Sequence, residues 1–191
     1  MDFNDLTLRL ERTYASIGQA TDCDILKYVH VQRVSEGDNR YLITFDNGKN
    51  EAEKANILFP IIEHLAKLKD HLKNMLGTNS GIVEDTINNN QYLQLIMDLS
   101  NAEKHGYPLT SSNRSNKKPK LINVINSLVI PPQEQIGINL KTGELVEWNN
   151  CYITIDGDVV DEYDVFICHI PQLLSSSTRA WENFIKVERL A

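Results

Sequence analysis

An apolar repeat between residues 51 and 76 constrains the fold more than any other feature of this sequence. Apolar side chains recur there every three or four residues, the spacing that places them on one face of an α-helix. They are Ile57, Ile61, Ile62, Leu65, Leu68, Leu72 and Met75. Gly77 closes the pattern, as glycine commonly does at helix ends. Pro60 leaves two possibilities: the helix begins there, with proline in its first turn, or it passes through with a kink.

A second helical repeat follows over roughly residues 83–105. Ile87, Tyr92, Leu95, Ile96 and Leu99 carry its apolar face. Gly106 stands where the helix should stop, and Pro108 lies just beyond it. The pattern predicts one long helix that packs antiparallel against the first.

The apolar period then changes from about 3.6 residues to two. A polar, basic segment, "TSSNRSNKKPK", predicts a surface loop before the change. The runs "LINVINSLVI", "IGINLKTGELVEW" and "CYITIDGDVV" are separated by turn residues, which predicts an antiparallel β-meander over 118–163. The last segment, 164–191, returns to helical spacing. Its beginning, "VFICHI", fits a strand equally well.

The first 48 residues predict a short amphipathic helix in "NDLTLRLERTYASIGQA", followed by a β-hairpin. The whole sequence therefore predicts one α+β domain over residues 1–191: an antiparallel helical bundle with a small β-meander inserted before the last helix. Its segments are an N-terminal helix and hairpin (1–48), a helix pair (49–106), the β insertion (118–163) and a C-terminal helix (164–191).

Composition narrows the class of protein. The 191 residues include 19 Lys and Arg against 26 Asp and Glu, for a formal net charge of −7, so binding to nucleic acid would need a local basic patch. Three widely spaced cysteines indicate neither disulfides nor a zinc site. No apolar run approaches the length of a membrane span. We expect a cytoplasmic protein that does not bind membranes and needs no cofactor.

The segment "DLSNAEKH" holds the candidate catalytic residues. On a helix, Asp98, Asn101 and His105 fall within an arc of about 60°, and Lys104 is the neighbour of His105. A carboxylate, an amide and an imidazole on one face can orient the imidazole for proton transfer. The alternative is a polar helix end, because Lys104 and His105 also suit the negative pole of the helix dipole.

A local excess of positive charge lies next to this segment. Arg114, Lys117 and Lys118 are the candidate substrate-binding residues, and phosphates are the ligands that such a patch favours. A solubilising surface loop is the alternative. His64 and His71 suggest a metal site, but no Glu-x-x-His or Cys-x-x-Cys motif accompanies them, so no metal is predicted.

With its flanking helices, the "DLSNAEKH" segment resembles HEPN-like helical-bundle proteins, and most closely the bacterial members with an Asn-x-x-Lys-His motif. The resemblance implies a homodimer. In the ribonuclease branch of this superfamily, two Arg-Asn-x-x-x-His motifs meet in a dimer and cut RNA without a metal. Asn101 and His105 match that motif, whereas Ser100 stands in the place of the arginine.

Two hypotheses about function follow from the resemblance. The first is a non-catalytic or degenerate module that binds a protein partner or nucleic acid, in a bacterial defence or toxin–antitoxin setting. The second is a metal-independent ribonuclease that uses His105 as general acid or base, together with Asn101 and Lys104. The missing guanidinium favours the first, because arginine holds phosphate in a way that serine cannot.

Overall fold

The computed structural model describes residues 29–33, 41–45, 51–110, 113–129, 136–138, 145–148 and 152–190. The predicted N-terminal helix lies outside these residues. The predicted hairpin is present: β1 (Val29–Arg33) pairs antiparallel with β2 (Tyr41–Phe45), and Val29 lies opposite Phe45.

Three helices follow the hairpin. Helix α1 (Glu51–Leu76) continues through Pro60, so the alternative in which it begins at that proline is wrong. A short 3-10 turn leads into α2 (Gly81–Asn88), and α3 (Gln91–His105) follows after two residues.

The prediction of one continuous helix over residues 83–105 is therefore wrong, and the reason is local. The Asn90 side chain accepts hydrogen bonds from the backbone N–H groups of Tyr92 at 3.0 Å and Leu93 at 3.1 Å. Asparagine is among the best residues for capping a helix N-terminus in this way. Asn90 thus starts a new helix where the apolar spacing alone indicated continuity.

The sheet is antiparallel, as the sequence predicted. Its strands do not, however, pair in chain order as they would in a simple meander. Strand β3 (Lys120–Val129) is followed by β4 (Ile136–Ile138) and β5 (Leu145–Trp148), which pair only with each other among the described strands. Strand β6 (Tyr152–Val160) pairs with β3 and with β7 (Phe166–His169). The β4–β5 hairpin therefore interrupts the predicted order, because the longer β3 and β6 pair directly along most of their length.

The open question at the start of the C-terminal segment is resolved in favour of a strand. Phe166–His169 form β7, and α4 (Ile170–Leu190) begins immediately afterwards with Pro171 in its first turn. A proline is tolerated there because the first N–H groups of a helix have no intrahelical partner.

The core lies between the helices and one face of the three-stranded sheet. Ile62 and Leu65 of α1, Ile96 of α3, Val159 of β6 and Trp181 of α4 are all fully buried. The indole Nε1–H of Trp181 donates to the backbone carbonyl of Leu65 at 3.0 Å, which satisfies its polar group and ties α4 to α1. The fold is α+β, and this core fixes the face of α3 that carries the candidate site.

Candidate functional site

Asp98 is fully buried in α3 and anchors the loop after that helix. One carboxylate oxygen accepts the backbone N–H of Arg114 at 2.8 Å. The other accepts the backbone N–H of Ser115 at 2.8 Å and its hydroxyl at 2.6 Å. Both oxygens are therefore occupied by residues 114 and 115. These contacts make Asp98 a structural anchor, and its catalytic role stays a prediction.

The anchored segment, residues 113–118, is a tight turn with its own polar contacts. The Asn113 side-chain oxygen accepts the N–H of Lys118 at 3.3 Å, and the Ser115 hydroxyl accepts the N–H of Lys117 at 3.3 Å. Side chains that accept backbone N–H groups in this way stabilise turns. The turn and the hydrogen bonds to Asp98 together fix the backbone position of Arg114.

Arg114 is held from its other end by Glu84 of α2. Its guanidinium donates to one Glu84 oxygen at 2.6 Å, and Lys73 of α1 donates to the other at 2.7 Å. The hydrogen bond from Arg114, aided by that from Lys73, lowers the pKa of Glu84 to about 2. One carboxylate thus joins α1, α2 and the 113–118 turn.

A cleft of about 380 Å³ opens between α1, α3 and this turn, and we call it the basic cleft. It contains three residues that the sequence predicted for a site: Asn101, Lys104 and Arg114. The remaining lining residues are Ala66, Lys67, Lys69, Asp70, Met97 and Ser100. Four cationic side chains and one carboxylate therefore face a single cleft.

The lysines at the rim of the basic cleft have carboxylate partners that water also reaches. Lys67 Nζ lies 3.1 Å from a Glu63 oxygen, and Lys104 Nζ lies 3.7 Å from the same oxygen. Lys67, followed by smaller contributions that include Lys104, lowers the pKa of Glu63. Ion pairs this exposed contribute little to stability, so both lysines can turn towards an incoming anion at small cost.

The structure separates the other predicted residues from the cleft. His105 is the exposed last residue of α3 and makes no hydrogen bond or ion pair within the described ranges. Lys118 donates to Glu162 at 2.6 Å, which raises the pKa of Lys118, and neither Lys117 nor Lys118 lines the cleft. The structure therefore brings together Asn101, Lys104 and Arg114, but not His105.

Sequence reasoning missed Lys67 and Lys69. Both lie on α1, well before the motif in the chain, and reach the site only because α1 packs against α3. A signal did exist for Lys67, because Glu63, Lys67 and Asp70 recur at the spacing of one helical face, but Lys69 lies outside that spacing. Using it would have required knowing which side of α1 meets α3.

Two other kinds of chemistry find no support within the described residues. No three His, Cys, Asp or Glu side chains there are grouped so that they could hold a metal ion. Burial raises the pKa of the Cys168 thiol to about 11, so the thiolate that a nucleophilic cysteine needs is scarce near neutral pH.

Comparison with known proteins identifies no relative of this chain. No protein-family model matches the sequence, and neither a curated protein nor a solved structure matches it. Within the described part of the chain, no helix combines the length and apolar character needed to cross a membrane.

Proposed function

We propose that this chain is a non-catalytic, HEPN-like module that binds RNA, and that the basic cleft holds phosphates of the RNA backbone. The observation that carries the proposal is the convergence of Lys67, Lys69, Lys104 and Arg114 on one cleft. The chain as a whole has a formal net charge of −7, so this concentration of cations is local.

The types of side chain in the cleft support a phosphate ligand. Arginine presents a rigid fork of N–H donors, and lysine presents a compact positive charge. The Asn101 amide adds neutral donors beside Lys104. Because Arg114 is fixed by Glu84 and by the Asp98 anchor, little ordering is needed when an anion arrives.

The same contacts argue against catalysis. Both Asp98 oxygens already accept hydrogen bonds from the turn, so Asp98 is poorly placed to orient an imidazole. His105 does not line the basic cleft, and Ser100 replaces the arginine that the ribonuclease motif would provide. The defence or toxin–antitoxin setting rests on the family resemblance alone.

The test is binding of a labelled single-stranded RNA, measured by fluorescence anisotropy at several salt concentrations. Lys104→Ala and Lys67→Ala should each weaken binding, and each should reduce the slope of log affinity against log salt by about 0.7 for every phosphate that the variant no longer neutralises. Lys186→Ala is the matched control, because Lys186 is exposed on α4 and does not line the cleft. Equal weakening in all three variants would contradict the proposal, as would binding of a phosphopeptide in preference to RNA.

A further inference from the structure

A second cavity lies between the first turns of α1, the end of α3 and the start of β3, and we call it the apolar pocket. Its volume is about 590 Å³, within the range of roughly 300–1,000 Å³ typical of small-molecule sites. Most of its lining is apolar, and Glu103 and Lys120 carry its charges. The lining residues are Ala52, Ala55, Phe59, Leu99, Ala102, Glu103, Tyr107, Pro119, Lys120, Leu121 and Val124.

A third cavity, of about 340 Å³, lies between the apolar pocket and the basic cleft, and Glu63, Glu103 and Lys104 carry its charges. It shares Phe59 and Glu103 with the apolar pocket, and Ser100 and Lys104 with the basic cleft. The three cavities therefore lie next to one another along α1 and α3, and we call this row of cavities the groove. Along α1 it runs from Ala52 to Asp70, which is about 27 Å at the rise of an α-helix.

The two ends of this groove have different chemistry. One end carries the four cations of the basic cleft. The other carries two aromatic rings, those of Phe59 and Tyr107, and Tyr107 as a whole residue is 42% exposed. The Lys120 ammonium lies over one face of the Tyr107 ring, 5.7 Å from its centre, and its Nζ is 2.7 Å from an Asp164 oxygen. Tyr107 is therefore both accessible and held beside a charge.

We infer that the apolar pocket receives an unstacked base of a single-stranded RNA whose backbone phosphates occupy the basic cleft. This inference rests on the proposed function and names the form of nucleic acid that the site takes. Bases stack on aromatic rings while the backbone follows a positively charged groove, and single-strand-binding proteins combine these two features. A duplex keeps its bases stacked inside, so it cannot fill the pocket.

The cations at one end of the groove identify its occupant. An apolar pocket alone would suit many ligands, but only the third cavity separates this one from the basic cleft. The occupant must therefore present negative charge along one part and a flat apolar group along another. Single-stranded RNA has both.

The experiment compares two labelled single strands of about ten nucleotides, which is long enough to span the length of the groove along α1, about 27 Å. One is an ordinary oligoribonucleotide, and the other has the same backbone without bases. Wild type should bind the ordinary strand at least about fivefold more tightly, because each base stacked on an aromatic ring contributes that much or more.

Two variants test the pocket itself. Tyr107→Ala removes the accessible ring, and Ala55→Leu fills the cavity from α1. Both should weaken binding of the ordinary strand at least about fivefold with an unchanged salt slope, and leave the abasic strand unaffected. Tyr163→Ala is the matched control, since Tyr163 is 78% exposed and does not line the groove. Thermal melting of each variant checks that its fold is intact.

The outcomes separate the inference from the proposed function. If wild type binds both strands equally, or if folded Tyr107→Ala and Ala55→Leu bind the ordinary strand as wild type does, base insertion is wrong and the phosphate site stands. If wild type binds neither strand at low salt, both the proposed function and this inference fail.

Discussion

The Asp98 carboxylate of α3 accepts the backbone N–H of Arg114, 16 residues later in the chain, at 2.8 Å. This contact links the buried core to the turn that presents a cation to the basic cleft. Asp98, which the sequence suggested for catalysis, thus positions the turn that carries Arg114.

Asp98→Ala should lower the free energy of unfolding by about 2 kcal/mol, because it leaves the partly buried donors of Arg114 and Ser115 without their acceptor. RNA binding should weaken as well, since the 113–118 turn loses its anchor. Urea denaturation measures the first effect and anisotropy the second. Asp85→Ala is the control, as Asp85 is exposed on α2. A variant as stable as wild type would show that the turn is held by other contacts.

Glu84 should make the free energy of unfolding depend on pH in the acid range. Its folded-state pKa of about 2 lies below the ordinary value of 4.5, so its contribution is complete above pH 4.5 and is lost as the pH falls towards 2. Glu84→Gln should therefore cost roughly 1–2 kcal/mol at pH 7. That difference from wild type should shrink progressively below pH 4.5. Denaturation curves at successive pH values measure it, and a constant difference would contradict the ion pairs described here.

His105→Ala should change the melting temperature little. The side chain is exposed at the end of α3, where a helix-dipole interaction contributes about 0.3–1 kcal/mol at most. Wild type should also fail to cleave RNA in excess EDTA. Cleavage that survives EDTA and disappears in His105→Ala would revive the ribonuclease hypothesis.

The homodimer implied by the HEPN-like resemblance stays a prediction. Light scattering at high micromolar concentration should give about twice the chain mass of 21.8 kDa. A dimer would be expected to bring two equivalent surfaces together, because a two-fold axis makes the same patch contact itself. A measured mass equal to that of one chain would rule out a stable dimer. It would also rule out the pairing of two motifs on which the ribonuclease branch depends.

The sequence predicted those parts of the fold that depend on short-range pattern. The end of α1 follows from its apolar period and Gly77, whereas Pro60 left its start open, and the β1–β2 hairpin follows from its alternating runs. The break before α3 was missed because it depends on one side chain, that of Asn90, which competes with helix continuity. The direct pairing of β3 with β6 was missed because a long-range register is set by packing and not by neighbouring residues.

In the candidate site too, the sequence predicted residues that are close together in the chain and missed those that only packing brings together. Asn101 and Lys104 lie within one turn of α3, and Arg114 follows in the next loop, so the sequence could place these three together. Lys67 and Lys69 come from another helix, and only its packing against α3 adds them to the cleft. Lys117 and Lys118 share the basic run of Arg114, but the 113–118 turn directs Lys118 towards Glu162.

The salt dependence of RNA binding shows whether the cations of the basic cleft neutralise phosphates of the RNA. Anisotropy titrations of a labelled single strand should give a straight line of log affinity against log salt for wild type. The line for Lys104→Ala should be shallower by about 0.7, while that for Lys186→Ala should keep the wild-type slope. Identical slopes for wild type and Lys104→Ala would mean that Lys104 neutralises no phosphate and that the basic cleft does not bind the RNA backbone.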